Sequence, residues 1–164
     1  MTHLVIKAKA YAAAAHKGQV RKYTQEPYIV HPIEVMEIVM TVEHDEAMLA
    51  AALLHDVVED TACTIEDIHK EFGPDVALLV DELTDVSKPE DGNRAHRKSL
   101  DREHSAMACP RGQTVKLADL ISNARDIVKH DAKFAKVFLD EKRQLLEIMT
   151  KGDDALYALA LSLV

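Results

Sequence analysis

Apolar residues recur at helical spacing along nearly the whole chain. In the N-terminal segment they stand at Val5, Ala8, Ala12 and Ala15, which places them on one face of a helix. The same spacing returns in later segments, so the pattern predicts an all-α bundle of about nine helices. These helices are predicted near residues 3 to 16, 31 to 42, 45 to 58, 64 to 71, 74 to 86, 93 to 107, 112 to 129, 132 to 151 and 153 to 163.

Local signals mark several of the predicted helix ends. Gly18 follows the first helix as a stop, Thr64 with Asp67 resembles a capping box, and Pro74 suits a first helical turn. No Ser/Gly-rich linker, repeat or low-complexity tract divides the chain, and 164 residues is near the usual size of one domain. We therefore predict a single domain over residues 1 to 164.

Composition supports helices and restricts the class of partner. Hydrophobic residues make up 48% of the chain, but aromatic residues only 4%, and Trp is absent, which favours helices over a sheet sandwich. The net charge of −8 repels the phosphate backbone, so nucleic acid is an unlikely partner. Binding of a small anionic ligand is still compatible with the sequence because basic residues cluster locally, at Lys17, Arg21, Lys22, Lys116, Arg125 and Lys129.

The cysteines and the chain termini bear on location and assembly. Cys63 and Cys109 are far apart and form no CxxC pair, which favours a reduced, cytoplasmic setting. The N-terminus lacks a signal-peptide pattern, and the apolar end from Ala155 to Val164 is too short to span a bilayer, so no membrane anchor is predicted. That apolar end could dock on the domain or build a homodimer interface, and the sequence does not decide between them.

The dipeptide His-Asp occurs three times, in three different contexts. The pairs at His44 and at His130 stand at predicted helix ends, where they are interpreted as solvated surface residues. The third pair, His55 with Asp56, directly follows the apolar run from Met48 to Leu54. An unpaired carboxylate there would be costly to bury, and a divalent cation removes that cost.

Two acids follow this third pair at helical spacing. Glu59 lies four residues after His55, and Asp60 four after Asp56, so both are expected one turn beyond the ligands, facing a bound water. An ordinary interpretation fits the stretch equally well: a hydrogen-bonded core histidine followed by a polar helix end. Further ligands are needed to separate the two.

Asp119 and His31 are the further candidates. Asp119 belongs to a polar stripe of TVKLADLISNARDIV, with Asn123 one turn later, although a solvated face would have the same pattern. His31 stands before Pro32 at a helix start. Together with His55 and Asp56 they give two imidazoles and two carboxylates, a set suited to Mn²⁺, Fe²⁺ or Zn²⁺. The acids of the segment GPDVALLVDELTDV, including Asp85, are by contrast expected on a solvated face.

Three motifs in order carry a resemblance to a known family. AHKGQVRKYTQEPYIVHP, AALLHDVVEDT and VKLADLISNARDI resemble the HD-type hydrolase domain of the RelA/SpoT homologues, which removes pyrophosphate from alarmone nucleotides such as ppGpp. The similarity runs from about residue 8 to 130. Because no synthetase segment follows in this chain, it is most similar to the stand-alone, Mesh1-like small alarmone hydrolases.

The resemblance implies a fold, a reaction and a role for each matching residue. It implies an HD-domain helical bundle that hydrolyses the 3′-pyrophosphate of (p)ppGpp to GDP or GTP. One Mn²⁺, or another divalent cation, would be held by His31, His55, Asp56 and Asp119. Glu59 and Asp60 would activate the attacking water, and the nucleotide would contact Arg21, Lys22 and Asn123.

Several alternatives stay open at this stage. No residue identifies guanine, so (p)ppApp is an alternative substrate, and another HD-domain nucleotide phosphohydrolase is an alternative enzyme. A silent nucleotide sensor or helical interaction module is a further alternative, and it would predict the loss of a ligand or of Glu59 and Asp60, none of which is missing. His16 and Asp126 fall within the matching motifs without an assigned role.

Overall fold

The computed structural model describes residues 1–164 and contains ten α-helices, one short 3₁₀ helix and no strand. The α-helices are α1 (His3–Ala15), α2 (Val30–Val39), α3 (Glu46–Leu54), α4 (Val57–Asp60), α5 (Ile65–Phe72), α6 (Pro74–Leu83), α7 (Arg94–Met107), α8 (Pro110–His130), α9 (Ala132–Ile148) and α10 (Asp154–Leu163). The 3₁₀ helix spans Pro89–Asp91. The predicted all-α class is confirmed.

The predicted helix over residues 45 to 58 is wrong in one respect. The structure ends α3 at Leu54 and begins the four-residue helix α4 at Val57, with a turn at His55 and Asp56. At the turn the His55 Nδ1–H group donates to the carbonyl of Ala52 at 2.7 Å. The sequence pattern missed this break because His and Asp interrupt neither the apolar spacing nor the chain's helical propensity.

The predicted helix-end signals have the expected hydrogen bonds. The Asp45 carboxylate accepts from the backbone N–H of Met48 and begins α3. Thr64 and Asp67 exchange side-chain and backbone hydrogen bonds in a capping box, and Pro74 begins α6 after Gly73, whose φ is +86°. These ends form locally because the caps of α3 and α5 satisfy backbone N–H groups of the first turn, and Pro74 of α6 has no N–H to satisfy.

Helix α3 is the centre of the core. All eight residues from Ala47 to Leu54 are buried, and α3 packs against α1, α2, α6 and α8. A helix that is apolar on every side is stable only when it is surrounded, and its four alanines allow close approach of its neighbours. The C-terminal end of α3 therefore delivers His55 and Asp56 into the interior, next to α2 and α8.

The C-terminal helix packs on the rest of the bundle. Leu156 and Ala160 of α10 are buried, α10 contacts α8 and α9, and the Tyr157 hydroxyl donates to the carbonyl of Leu146 at 2.8 Å. A homodimer through the remaining apolar surface stays a prediction. None of the helices is both long and apolar enough to pass through a bilayer.

Candidate metal centre and adjoining cavities

The four predicted metal ligands meet between α2, the end of α3 and α8. His31 Nε2 lies 3.1 Å from Asp119 Oδ1 and 3.7 Å from Asp56 Oδ2. His55 Nε2 lies 3.0 Å from Asp56 Oδ2 and 3.4 Å from Asp119 Oδ1. Both histidines are 3% exposed, so two imidazole nitrogens and two carboxylates converge on one point that is almost closed to solvent.

Each imidazole is oriented by its other ring nitrogen. His55 donates from Nδ1 to the Ala52 carbonyl, and His31 Nδ1 lies 3.1 Å from the hydroxyl of Ser122. The Ser122 hydroxyl in turn donates to Glu34 at 3.0 Å, so the His31 Nδ1–H group is the donor to Ser122. In the neutral form of each imidazole, Nε2 then carries the lone pair and faces the carboxylates, the arrangement of metal-binding histidines.

The arrangement fits a cation better than it fits an empty protein site. His55 Nε2 is buried and makes no hydrogen bond, although two carboxylate oxygens lie beside it. Burial alone would lower the pKa of His55, but Asp56 and Asp119 raise it well above its usual value. Burial raises the pKa of Asp56, yet His55 outweighs it and brings the value to about 2. The cluster therefore favours positive charge at its centre.

Tyr28 supports this cluster and was missed by the sequence analysis. Its hydroxyl donates to Asp56 Oδ2 at 2.6 Å, and its ring lies 4.7 Å from the ring of His16. Burial raises the pKa of Tyr28, and the charge of Asp56 raises it further, so the hydroxyl stays a donor. The only signal was its place three residues before His31, which does not by itself point to Asp56.

Glu59 and Asp60 stand at the solvent-facing side of the cluster. Both are exposed, and Glu59 lines a concave surface crowded with protein atoms. Burial and then the charge of Asp85 raise the pKa of Glu59 to about 7, and burial with the charge of Asp56 raises that of Asp60. The Asp85 backbone N–H donates to Glu59, and Gln19 Nε2 donates to the Asp60 carbonyl at 3.0 Å. The turn is thus fixed from two sides.

A cavity of about 160 Å³, the acid-side cavity, opens beside Glu59. Its lining is almost wholly polar and is formed by Asp56, Glu59, Asp85, Lys98, Asp101, Arg102, Ser105, Lys116, Asp119, Asn123, Glu141, Lys142 and Leu145. The expectation of a solvated Asp85 is wrong. Asp85 lines the cavity and pairs with Lys98 at 3.3 Å and with Lys116 at 3.7 Å.

A second cavity of about 200 Å³, the arginine-side cavity, opens on the other side of the cluster. Its lining includes all three predicted nucleotide contacts and is formed by Arg21, Lys22, Tyr23, Tyr28, His31, Asn123, Asp126, Ile127 and Phe134. Asn123 lines both cavities and donates to Asp119 Oδ1 at 2.7 Å. The two cavities therefore meet at the predicted metal ligands.

Arg21 is held more tightly than the sequence suggested. Its guanidinium binds Glu34 at 3.1 Å and Asp126 at 2.8 Å, and its side chain is 7% exposed. Asp126, which had no assigned role, thus fixes Arg21 in the cavity wall. Lys22 is free of ion pairs and lies 5.0 Å from the ring of Tyr23.

His16, the other unassigned residue, supports the turn that carries Glu59 and Asp60 through its contact with Gln19. Its Nδ1 atom lies 2.8 Å from the side-chain oxygen of Gln19, the same residue that donates to the Asp60 carbonyl. Its ring also lies against Tyr28. His16 therefore touches both residues that hold Asp56 and Asp60 in place.

Comparison with known proteins identifies the family. The sequence model of the HD domain matches residues 8–145. The chain belongs to the HD domain family. Hydrolases of this family bind a divalent cation. In this HD domain, ligand atoms of His31, His55 and Asp56 lie within 4.8 Å of one another, close enough to hold one cation. Asp119 adjoins the same group at the distances given above.

Comparison with individual relatives indicates which branch of the HD domain family the chain resembles. This HD domain is 48% identical over 121 residues to the guanosine-3′,5′-bis(diphosphate) 3′-pyrophosphohydrolase MESH1 of Drosophila melanogaster, over 71% of this chain and 65% of that protein. MESH1 of Xenopus tropicalis is 42% identical, over 76% of this chain and 69% of its own length. GTP pyrophosphokinase of Streptomyces coelicolor is 40% identical over 85% of this chain but only 16% of its own.

A solved structure has the same fold over nearly the whole chain. It is described as a metazoan ortholog of SpoT that hydrolyzes ppGpp, and it covers 99% of this HD domain and 94% of its own chain. The TM-score is 0.88 at 32% identity. The resemblance to MESH1-like and RelA/SpoT proteins is confirmed.

Proposed function

We propose that this HD domain is a metal-dependent (p)ppGpp 3′-pyrophosphohydrolase. Water attacks the phosphorus joined to the ribose 3′ oxygen, the bond between them breaks, and pyrophosphate leaves. The 3′ oxygen takes up a proton, which leaves GDP or GTP. The observation that carries the proposal is the buried cluster of two imidazoles and two carboxylates with Glu59 and Asp60 at its open side.

His31, His55, Asp56 and Asp119 are the residues that would hold the cation. Their mixture of nitrogen and oxygen donors suits Mn²⁺, with Fe²⁺ and Zn²⁺ as competitors. A divalent cation at such a site neutralises phosphate charge and lowers the pKa of bound water. Tyr28, Asn123 and the paired Nδ1 atoms keep the four ligands aligned before the cation binds.

Glu59 and Asp60 would take the proton of the attacking water. A general base works best when its pKa is near the working pH, and the pKa of Glu59 is about 7. Both carboxylates are exposed, whereas the side chains of Asp56 and Asp119 are only 16% and 13% exposed. This difference supports a division of labour in which the more enclosed carboxylates bind the cation and the exposed ones transfer protons.

The arginine-side cavity would take the nucleoside. Arg21 presents a planar guanidinium that is fixed by Asp126 and Glu34, and such a plane can stack on a purine. Lys22 supplies an unpaired charge, and Asn123, between the two cavities, would face the ribose. Stacking does not select strongly between guanine and adenine, so the base preference has to be measured.

The proposal includes a cellular setting and a domain organisation. One core cluster of 34 residues runs from α1 to α10, which supports a single domain over residues 1 to 164. Cys63 and Cys109 are both free thiols, which supports work in the reducing cytoplasm. The substrate is a small anionic nucleotide rather than a nucleic acid, because the chain carries a net charge of −8.

The test is release of pyrophosphate by the purified chain. We expect release from ppGpp in the presence of Mn²⁺ and none after chelation, with GDP as the nucleotide product. An assay of ppApp under the same conditions measures the base preference. Failure to release pyrophosphate from either nucleotide with any of Mn²⁺, Fe²⁺ or Zn²⁺ would refute the proposed function.

A further inference from the structure

Two cations of the acid-side cavity have no partner in the protein. Arg102 of α7 and Lys142 of α9 line the cavity, and neither forms an ion pair or a side-chain hydrogen bond. The two other lining cations are engaged: Lys98 with Asp85, and Lys116 with the carbonyl of Leu83 at 3.2 Å. Arg102 and Lys142 therefore have charges that are free for a ligand.

Asp101 and Glu141, the acids next to Arg102 and Lys142 in the chain, are already paired within the protein. Asp101 accepts from the backbone N–H groups of Val86 and Ser87 and from the Ser87 hydroxyl. Glu141 binds Arg94 with two hydrogen bonds, at 2.7 and 2.9 Å. These contacts direct the acids toward the protein rather than toward Arg102 and Lys142. An incoming anion therefore meets two free cations, although carboxylates outnumber cations in the lining.

The setting of Lys142 makes an anionic ligand favourable. Its ammonium lies 5.1 Å from the centre of the Phe138 ring, and burial together with the charge of Lys116 lowers its pKa to about 8. Lys142 is half-buried and forms no ion pair, so an anion at hydrogen-bond distance would offset the desolvation of its ammonium. Arg102 keeps its charge at all working pH values and offers a donor fork suited to phosphate.

We propose that Lys142 and Arg102 form a phosphate subsite for a phosphoryl group of the substrate other than the one under attack. The inference rests on the proposed function, because Asp56 and Asp119 line the same cavity and so place the reacting phosphorus next to this subsite. Two parts of ppGpp have the right chemistry: the outer phosphate of the 3′-diphosphate and the two phosphates of the 5′-diphosphate. The experiment distinguishes them.

The main test compares Lys142→Met with Lys136→Met. Methionine keeps most of the side-chain length that packs on Phe138 but removes the charge, and Lys136 is an exposed lysine of the same helix without an ion pair. For Lys142→Met we expect KM for ppGpp to rise roughly tenfold to a hundredfold, the range for a charged hydrogen bond. Arg102→Gln should raise KM in the same direction, and Lys136→Met should leave it unchanged.

Substrates with fewer 5′ phosphates show which phosphate of the substrate binds at the subsite. Guanosine 3′-diphosphates with a 5′-hydroxyl, a 5′-phosphate and a 5′-diphosphate are compared in the unaltered protein and in Lys142→Met. Loss of the KM difference with the 5′-hydroxyl substrate assigns the subsite to the 5′ phosphates. A difference that persists across all three assigns it to the outer 3′ phosphate. Equal KM values for Lys142→Met and Lys136→Met on every substrate would overturn the subsite.

Failure of the proposed function can be told apart from failure of the subsite. If the unaltered protein releases no pyrophosphate, the function fails, and the subsite is judged by calorimetric titration with inorganic pyrophosphate. Weaker binding by Lys142→Met than by Lys136→Met would support the subsite even then. Equal binding by the two variants would refute it, and thermal melts of both verify that the comparison is made on folded protein.

Discussion

The pairs His44–Asp45 and His55–Asp56 contain the same two residues, and only their surroundings differ. His44 and Asp45 lie on the surface before α3, where Asp45 caps the helix and binds Arg111 at 2.9 Å. His55 and Asp56 lie after α3, in the interior, with Asp56 joined to Tyr28. The same side chains therefore begin a helix in one place and, under the proposed function, form part of a cation site in the other.

This difference in surroundings separates a His-Asp pair that is suited to a cation from an ordinary surface pair. At the surface, water and a neighbouring arginine satisfy the carboxylate, so a cation adds little. In the interior, each donor is held by protein contacts, and His55 Nε2 is left without a partner. The following predictions test this comparison, beginning with the largest expected effect.

The largest effect is expected from removing a buried ligand. Asp56→Ala should abolish both bound metal and pyrophosphate release, because two imidazoles and one carboxylate remain around an open position. Asp45→Ala is the matched control: it should lose only about 1 kcal/mol of stability as a lost helix cap. Metal content by mass spectrometry and the rate of pyrophosphate release are measured on both. Full metal content in Asp56→Ala would remove the distinction between the pairs.

A large effect on turnover alone is expected from the exposed acids. The double variant Glu59→Gln with Asp60→Asn should keep its metal but lose roughly 10² to 10⁴ in kcat, the usual contribution of general base catalysis. Glu66→Gln, an exposed acid of α5, is the control and should behave like the unaltered protein. Undiminished kcat in the double variant would contradict their role as proton acceptors.

A smaller effect is expected from the tyrosine that holds Asp56. Tyr28→Phe removes the 2.6 Å hydrogen bond and should weaken metal affinity roughly tenfold to a hundredfold, as loss of an outer contact to a metal ligand does. Tyr157→Phe removes a hydroxyl contact far from the cluster and should leave metal affinity alone. Competition with a chromogenic chelator gives both affinities. Equal values would show that Asp56 does not depend on Tyr28.

The smallest expected effect is a shift in pH dependence. A base with a pKa of about 7 is protonated below that value, so kcat/KM should fall as the pH is lowered through 7 at saturating Mn²⁺. Asp85→Asn removes a negative charge that raises the pKa of Glu59, whereas Lys116, which lowers this pKa, stays in place. The decrease in kcat/KM should therefore occur at lower pH. Asp81→Asn, an exposed acid of α6, should not move it. An unmoved profile in Asp85→Asn would exclude Glu59 as the titrating group.

The sequence predicted which side chains converge better than it predicted their surroundings. The apolar run before His55 and the motif match were enough to select the four residues that the structure brings together. The break between α3 and α4, the contact of Tyr28 with Asp56 and the turn of Asp85 into the cavity were not predictable. The contacts of Tyr28 and Asp85 depend on residues distant along the chain, and the break after Leu54 leaves no mark in the apolar spacing.

What the sequence determined by itself is the set of local structures and the most probable HD pair. Helical spacing and caps act within a few residues, so they can be recognised in one segment at a time. The tertiary structure alone decided which side chains meet: His31 contacts Asp119 across 88 positions, and Arg102 and Lys142 come to one cavity from different helices. Those contacts follow from the packing of α2, α3, α7, α8 and α9. No property of an isolated segment fixes its distance from another segment of the chain.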